Sequence, residues 1–281
     1  SLNGVTIKNN LTNGDLVAEI QALGVNNPND ASLWDVDLVR VTTAGAEKNL
    51  NLFLGKKSTQ VELNDADLIS NINVPTFTAS TSVTTSLNQQ QLNISGGKQA
   101  QVNLLKGADI ISGIRLFASE SSSVQLSDGS NINAIDSGNI NAIDGGNTLL
   151  LTTAGSSVIN TLSVGQGALA FNNVNVFGTG SLNIKAAVVG SGFDASNYAG
   201  VLNAAFNSAP VVVGGQGNNT INFSNMTTSV RYTGQAGRDD ITLGALNNDA
   251  RLLLGAGNDT VTLSGTNTAK LELDFGAGID T

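Results

Sequence analysis

The sequence predicts an all-β protein: a parallel β-roll or β-solenoid with coils of about 20 residues at the C-terminal end, a strand-rich middle and a small mixed N-terminal part. Three observations carry this. A glycine-and-acid turn recurs through 214–281 with its last glycine at Gly217, Gly237, Gly257 and Gly278, steps of 20, 20 and 21 residues. Apolar residues fall in columns when those turns are aligned, and short apolar-polar-apolar triplets fill much of the chain before them. Charged residues are only 12% and aromatic residues 4% of the whole, a composition that suits stacked strands better than a compact helical enzyme.

Residues 1–90 are the least regular. Val5-Thr-Ile7 reads as a short strand. In 15–23, Leu16, Val17, Ile20 and Leu23 follow helical spacing behind Asp15, and Gly24 stops the run, which predicts one short amphipathic helix. Asp65-Ala-Asp67-Leu-Ile69 predicts a second single turn of helix, whereas Leu50 to Leu54 and Val61-Glu-Leu63 alternate as strands. Pro28 and Pro75 fall in loops. Asp30, Asp35 and Asp37 read as a solvated loop face, with a calcium role as the alternative, and Trp34 as a packing anchor.

From 91 to 205 the chain is a run of short strands: Leu92-Asn-Ile94, Val102-Asn-Leu104, Ile114-Arg-Leu116, Val124-Gln-Leu126, Leu162-Ser-Val164, Val174-Asn-Val176 and Leu182-Asn-Ile184. The sequence Asn-Ile-Asn-Ala-Ile-Asp occurs twice, at 131–136 and 139–144, and places Asp136 and Asp144 alike, as turn caps, with a calcium role for the pair as the alternative. This middle region is open to continuity with the solenoid at 206–281.

Within 206–281 each coil aligns in detail. Four residues after the turn glycine stand Ile221, Ile241 and Val261; six after stand Phe223, Leu243 and Leu263; between them lie Asn222, Thr242 and Thr262. Five residues before it stand Val212, Tyr232, Leu252 and Leu273, and the neighbouring column, Val211, Arg231, Arg251 and Glu272, faces water. Each coil is therefore strand, Gly-x-Gly-x-Asp turn, strand and a short return. No single repeat buries its apolar face alone.

The turn has chemistry of its own. Its glycines let several backbone carbonyls converge, and Asp239, Asp259 and Asp280 each add a carboxylate two residues after a turn glycine. An oxygen-only, charged and adaptable cage suits Ca2+, which takes about 6–8 oxygen ligands, and not Zn2+. The competing reading, glycine turns with solvated aspartates and no metal, leaves carboxylates stacked one strand spacing apart, where they repel. Asn219 keeps an oxygen at the aspartate position without the charge, which makes the first turn a weak site or an end coil.

These turns resemble the Gly-Gly-x-Gly-x-Asp repeats of RTX proteins, which form calcium-bound parallel β-rolls. The resemblance implies carboxylate ligands from Asp239, Asp259 and Asp280. It implies carbonyl ligands from Gly215, Gly217, Gly237, Gly255, Gly257, Gly276 and Gly278, with Asn219 at the first turn. RTX coils carry a calcium turn on both sides; here the returns at 224–229, 245–249 and 264–268 lack the motif, so calcium is expected along one edge only. Asp194-Ala-Ser196, followed by Gly200 and Leu202, is similar to the Asp-Ala-Ser-x-x-x-Gly-x-Leu segments that precede calcium turns in RTX-type bacterial S-layer proteins. The likeness covers roughly 188–281.

Composition removes other classes. With 13 Lys and Arg against 22 Asp and Glu, the net charge of −9 argues against nucleic acid or an anionic membrane as partner. The chain has no histidine and no cysteine, so His-based triads, zinc motifs, thiolate sites and disulfides are all ruled out, and an enzyme is not expected. No apolar run reaches the ~20 residues of a membrane-spanning helix, so no membrane insertion is expected, and 1–10 lacks the regions of a signal peptide. The sequence stops just after a turn aspartate, which predicts a piece of a longer protein with further coils and an export signal elsewhere.

Three functions are weighed. The first is a structural S-layer protein on the bacterial cell surface, exported by type I secretion as the resemblance implies. Its partner is itself, in a calcium-dependent lattice, with cell-surface polysaccharide bound through regions outside this sequence. The second is a stalk or binding module of a large RTX adhesin, against which stands the lack of a repeat of about 100 residues. The third, the β-roll of a secreted lipase, protease or epimerase, needs a catalytic domain that 1–205 does not supply.

Overall fold

A computed structural model describes residues 5–9, 13–19, 38–43, 46–54, 58–64, 68–74, 79–118, 121–127, 129–137, 148–162 and 171–281. Among these residues every regular element is a strand, and the fold is an all-β solenoid of parallel strands. The chain divides into two compact units, Ser1–Asn147 and Thr148–Thr281.

The first unit holds β1 (Val5–Asn9), β2 (Asn13–Glu19), β3 (Leu38–Thr43), β4 (Ala46–Phe53), β5 (Thr59–Leu63) and β6 (Ile69–Val74). It continues with β7 (Ser80–Thr85), β8 (Gln89–Gly96), β9 (Gln99–Leu104), β10 (Ile110–Phe117), β11 (Ser121–Leu126) and β12 (Asn131–Ser137). Odd strands pair with odd and even with even, always in parallel, so successive coils lay one strand on each of two faces. Side chains alternate across each strand, and like stacks on like. Val61, Val83, Val102 and Val124 form one buried column, and Leu52, Ile72, Ile94 and Leu116 form the other. Each such side chain contributes roughly 1.5–3 kcal/mol by leaving water. Outside the core, the Asn71 amide donates to Asn51 Oδ1 at 2.9 Å and the Asn93 amide to Asn71 Oδ1 at 2.8 Å, a ladder that fixes the same register.

One expectation fails here. Residues 15–19 are not helical: they belong to β2, which pairs with β4 so that Leu16 stands beside Leu50 and Ala18 beside Leu52. Leu50 and Leu52 are fully buried, and the parallel ladder to β4 needs an extended chain, which a helix cannot supply. The N-terminal region is thus stranded wherever it is described, and Ile69, expected in a helical turn, opens β6. Residues 20–23, Asp65 to Asp67, Pro28, Pro75, Asp30, Trp34, Asp35, Asp37 and Asp144 lie outside the described residues.

The second unit holds β13 (Thr148–Thr153), β14 (Ser156–Leu162), β15 (Phe171–Gly178), β16 (Ser181–Tyr198), β17 (Val201–Ser208) and β18 (Val211–Val213). After these come β19 (Asn219–Phe223), β20 (Val230–Thr233), β21 (Asp239–Leu243), β22 (Ala250–Leu253), β23 (Thr260–Leu263) and β24 (Leu271–Asp274). The 18-residue β16 serves both faces: its first half pairs with β14 and β17, its second with β15 and β18. Asp194 sits in that second half, where its Oδ1 accepts the Ser196 N–H at 2.8 Å, while Ala195, Tyr198 and Leu202 are buried.

The register of the last coils is the one the sequence predicts. Val212, Tyr232, Leu252 and Leu273 are paired in line, as are Val211, Arg231, Arg251 and Glu272. Ile221 stacks on Ile241 and Val261, and Phe223 on Leu243 and Leu263. The outer column is exposed, with Arg251 Nε 3.5 Å from Glu272 Oε2. Inside, rings run through the coils: Phe193 to Phe206 at 5.1 Å between centroids, Phe206 to Phe223 at 5.6 Å, and Phe223 to Tyr232 at 6.1 Å. This aromatic file ends at Tyr232, beside the acid turns.

Candidate metal centre

Three of the turns join paired strands: 214–218 links β18 to β19, 234–238 links β20 to β21, and 254–259 links β22 to β23; the fourth follows β24. Parallel pairing on both sides stacks them on one edge, and the ladder runs through the turns themselves, with Ala236 bridged to Ala256 and Ala256 to Ala277. At this edge the turns approach so closely that a Cβ on Gly257 would overlap the Gly237 carbonyl. The same overlap occurs one layer after another as far upstream as Gly180 over Gly155. Glycine is required first for stacking, and this column begins well before the segment in which the sequence reveals it.

The acid column lies just inside. Asn219, Asp239 and Asp259 are 1%, 0% and 1% exposed, and Asp280 is half-buried. Far from being solvated, the carboxylates are locked between coils. The Asp239 N–H donates to Asp259 Oδ1 at 2.8 Å, and the Asp259 N–H donates to Asp280 Oδ1 at 2.9 Å. Asp239 receives two further donors, the Asn219 amide on Oδ1 at 2.6 Å and the Tyr232 hydroxyl on Oδ2 at 2.9 Å. Tyr232 was legible only as an apolar column member; the signal for its second role is a hydroxyl in a column otherwise made of Val and Leu.

Electrostatics sets these groups apart. Burial pushes the Asp239 carboxyl up to about 6; the Asn219 and Tyr232 hydrogen bonds act against it, and the neighbouring Asp259 and Asp240 charges reinforce it. Burial also raises Asp259, opposed by the backbone N–H of Asp239 and reinforced by Asp280 and Asp240. Tyr232 is raised by burial and by the Asp239 charge beside it, so it remains a donor. Among the described residues, no ion pair reaches Asp239 or Asp259; Arg238, the nearest cation in sequence, holds Asp240 at 2.8 Å instead. Asp259 Oδ2 is buried with no hydrogen-bond partner.

A buried carboxylate oxygen without a donor is costly, and a cation beside it would offset that cost. The repeat places glycine carbonyls and carboxylates on this edge, oxygen groups of the kind a hard divalent ion takes, while the Asp239 N–H already occupies Asp259 Oδ1. Among the described residues, the acids do not gather in groups of three or more, since they stack in line, so backbone carbonyls must complete any ligand set. Of the eleven residues singled out in the sequence, Gly215, Gly217, Gly237, Gly255, Gly257, Asp259, Gly276, Gly278 and Asp280 lie on the four stacked turns, and Asn219 and Asp239 are the strand residues that directly follow the first two. Across the coil the returns close differently: Leu246 N–H to Asn267 Oδ1 at 2.9 Å, the Asn248 amide to the Thr227 carbonyl at 3.0 Å, and Lys270 N–H to the Asp249 carboxylate at 3.0 Å.

No helix among the described residues is long and apolar enough to cross a membrane. No family model matches this sequence, and no curated protein or solved structure is significantly similar to it. The chemistry of the turns therefore stands on their own geometry.

Proposed function

We propose that this chain is a structural β-solenoid of a bacterial cell-surface layer, in which Ca2+ taken up by the acid turns closes the coils and drives self-assembly. The observation that carries the reading is Asp259 Oδ2, buried and without a donor in a column of carboxylates that no lysine or arginine among the described residues neutralises. Ca2+ on that edge would be held by Asp259 and Asp280 with the carbonyls of Gly255, Gly257, Gly276 and Gly278. The ion supplies charge neutralisation; the chain supplies a cage that exists only when its coils are stacked. Binding and folding are then one equilibrium: where calcium is scarce the column repels itself, and outside the cell the ion stabilises the folded form.

A low-charge, small-polar surface supports lattice building, because flat faces carrying few charges pack against copies of themselves with little desolvation cost. Secretion by a type I route and attachment to cell-surface polysaccharide belong to this proposal through the RTX resemblance alone. The test is electron microscopy and light scattering of the 281-residue chain in EDTA and in CaCl2. Ordered sheets or large oligomers that form with calcium and disperse with EDTA support the reading. A chain that takes up calcium and remains monomeric shifts the assignment to a stalk or binding module of an adhesin.

A further inference from the structure

Three oxygens converge on one nitrogen at the first turn. The side-chain amide nitrogen of Asn219 lies 3.1 Å from the Gly215 carbonyl, 3.0 Å from the Gly217 carbonyl and 2.6 Å from Asp239 Oδ1. Its own Oδ1 accepts the Gly215 N–H at 2.9 Å, which fixes the orientation of the amide: reversed, it would set an oxygen against three oxygens and an NH2 against an N–H. The whole side chain is buried.

Two coils further on, the corresponding residues are Gly255, Gly257 and Asp280, and an aspartate, Asp259, stands where Asn219 does. Exchanging amide for carboxylate replaces the N–H donor with an acceptor, and the Oδ2 left there has no partner. By position in the repeat, the two carbonyls and the carboxylate that meet a positive dipole in the first turn are matched in the third by the same groups beside a further anion.

We propose that the Asn219 amide occupies the position of a cation, so that the first turn is closed without metal and the calcium column starts beyond it. This rests on the calcium reading of the later turns and adds where the column ends and why. The first turn becomes a permanently folded end coil: it offers the next coil, through Asp239, a template that does not wait for calcium, and Asn219 is what separates it from a calcium site.

The test compares wild type with Asn219→Asp and Asn219→Ala, using the full chain, equilibrium dialysis against CaCl2 (with MgCl2 as control) and thermal unfolding in EDTA. Asn219→Asp is expected to melt well below wild type in EDTA, recover in CaCl2, and bind one more Ca2+ per chain. Asn219→Ala is expected to lose stability in EDTA and gain no ion. If wild type binds Ca2+ and Asn219→Asp binds the same number, the inference is overturned while the calcium reading survives. An Asn219→Asp chain that stays unfolded in CaCl2 overturns it as well, since the ion should restore what the charge removes. If wild type binds none, the calcium reading falls; one ion on Asn219→Asp then still supports the cation position of the amide, and none overturns it.

Discussion

Tyr232 and Asp239, seven residues apart across one turn, are joined by a 2.9 Å hydrogen bond from the phenolic hydroxyl to Oδ2, inside a core that excludes water from both. The bond links the aromatic file of the solenoid to its acid column. Tyr232→Phe keeps the ring packing and strands the carboxylate oxygen, so a loss of about 1–3 kcal/mol is expected in EDTA. Thermal or urea unfolding measures it, and an unchanged midpoint would show that the bond contributes nothing.

Protonation of Asp239 gives the metal-free protein an unusual pH dependence. The folded carboxyl titrates at about 6 against 3.8 for the unperturbed group, so between those values the folded state holds a proton that the unfolded chain has released. Stability therefore falls as pH rises through this window; above it the charged form bears a penalty of about 3 kcal/mol, and below it none. Asp239→Asn should flatten this slope in EDTA. In CaCl2 the wild-type slope should shrink, because an ion held at the neighbouring Asp259 favours the ionised form of Asp239.

Glycine substitutions should separate stacking from local conformation. Gly257→Ala forces a Cβ into the Gly237 carbonyl, backbone that cannot step aside without opening the coils. A loss of more than ~3 kcal/mol is expected. Gly107, with φ of 75° and open space around it, provides the contrast: alanine there costs about 1–2 kcal/mol through its left-handed backbone alone.

In the first unit, Asn71 donates to one neighbour and accepts from the next, and Asn71→Ala removes both bonds. The expected loss is about 1–2 kcal/mol, read by hydrogen exchange of the amides in β4, β6 and β8.

The last four coils were legible because each inward residue recurs at the coil length: Ile221, Ile241 and Val261 announce their register without any structure. Earlier coils vary in length, and the step from Asn51 to Asn71 is 20 residues and from Asn71 to Asn93 is 22, which blurs the columns. The segment around Leu16, Val17 and Ile20 misled for a simpler reason. Apolar residues four apart fit one face of a helix and one face of a strand equally, and the partners that decide, Leu50 and Leu52, lie over thirty residues away. At the candidate centre, the residue types and spacing were readable, but the burial of Asp239 and Asp259 was not. The sequence reading made these carboxylates calcium ligands without saying how deeply they lie, and they are interior because the turn folds them under the next coil. The role of the Asn219 amide likewise depends on a nitrogen-to-oxygen arrangement that spacing alone does not encode.

Calorimetric titration of the full chain with CaCl2, wild type beside Asp259→Asn, tests the central claim most directly. The amide of Asp259→Asn supplies the donor that Oδ2 lacks, so this variant should fold in EDTA at least as stably as wild type, bind at least one fewer Ca2+, and show a smaller rise in melting temperature with calcium. Wild type that takes up no Ca2+, or Asp259→Asn that takes up as much with the same affinity, would contradict the claim and leave the turns as a purely structural column.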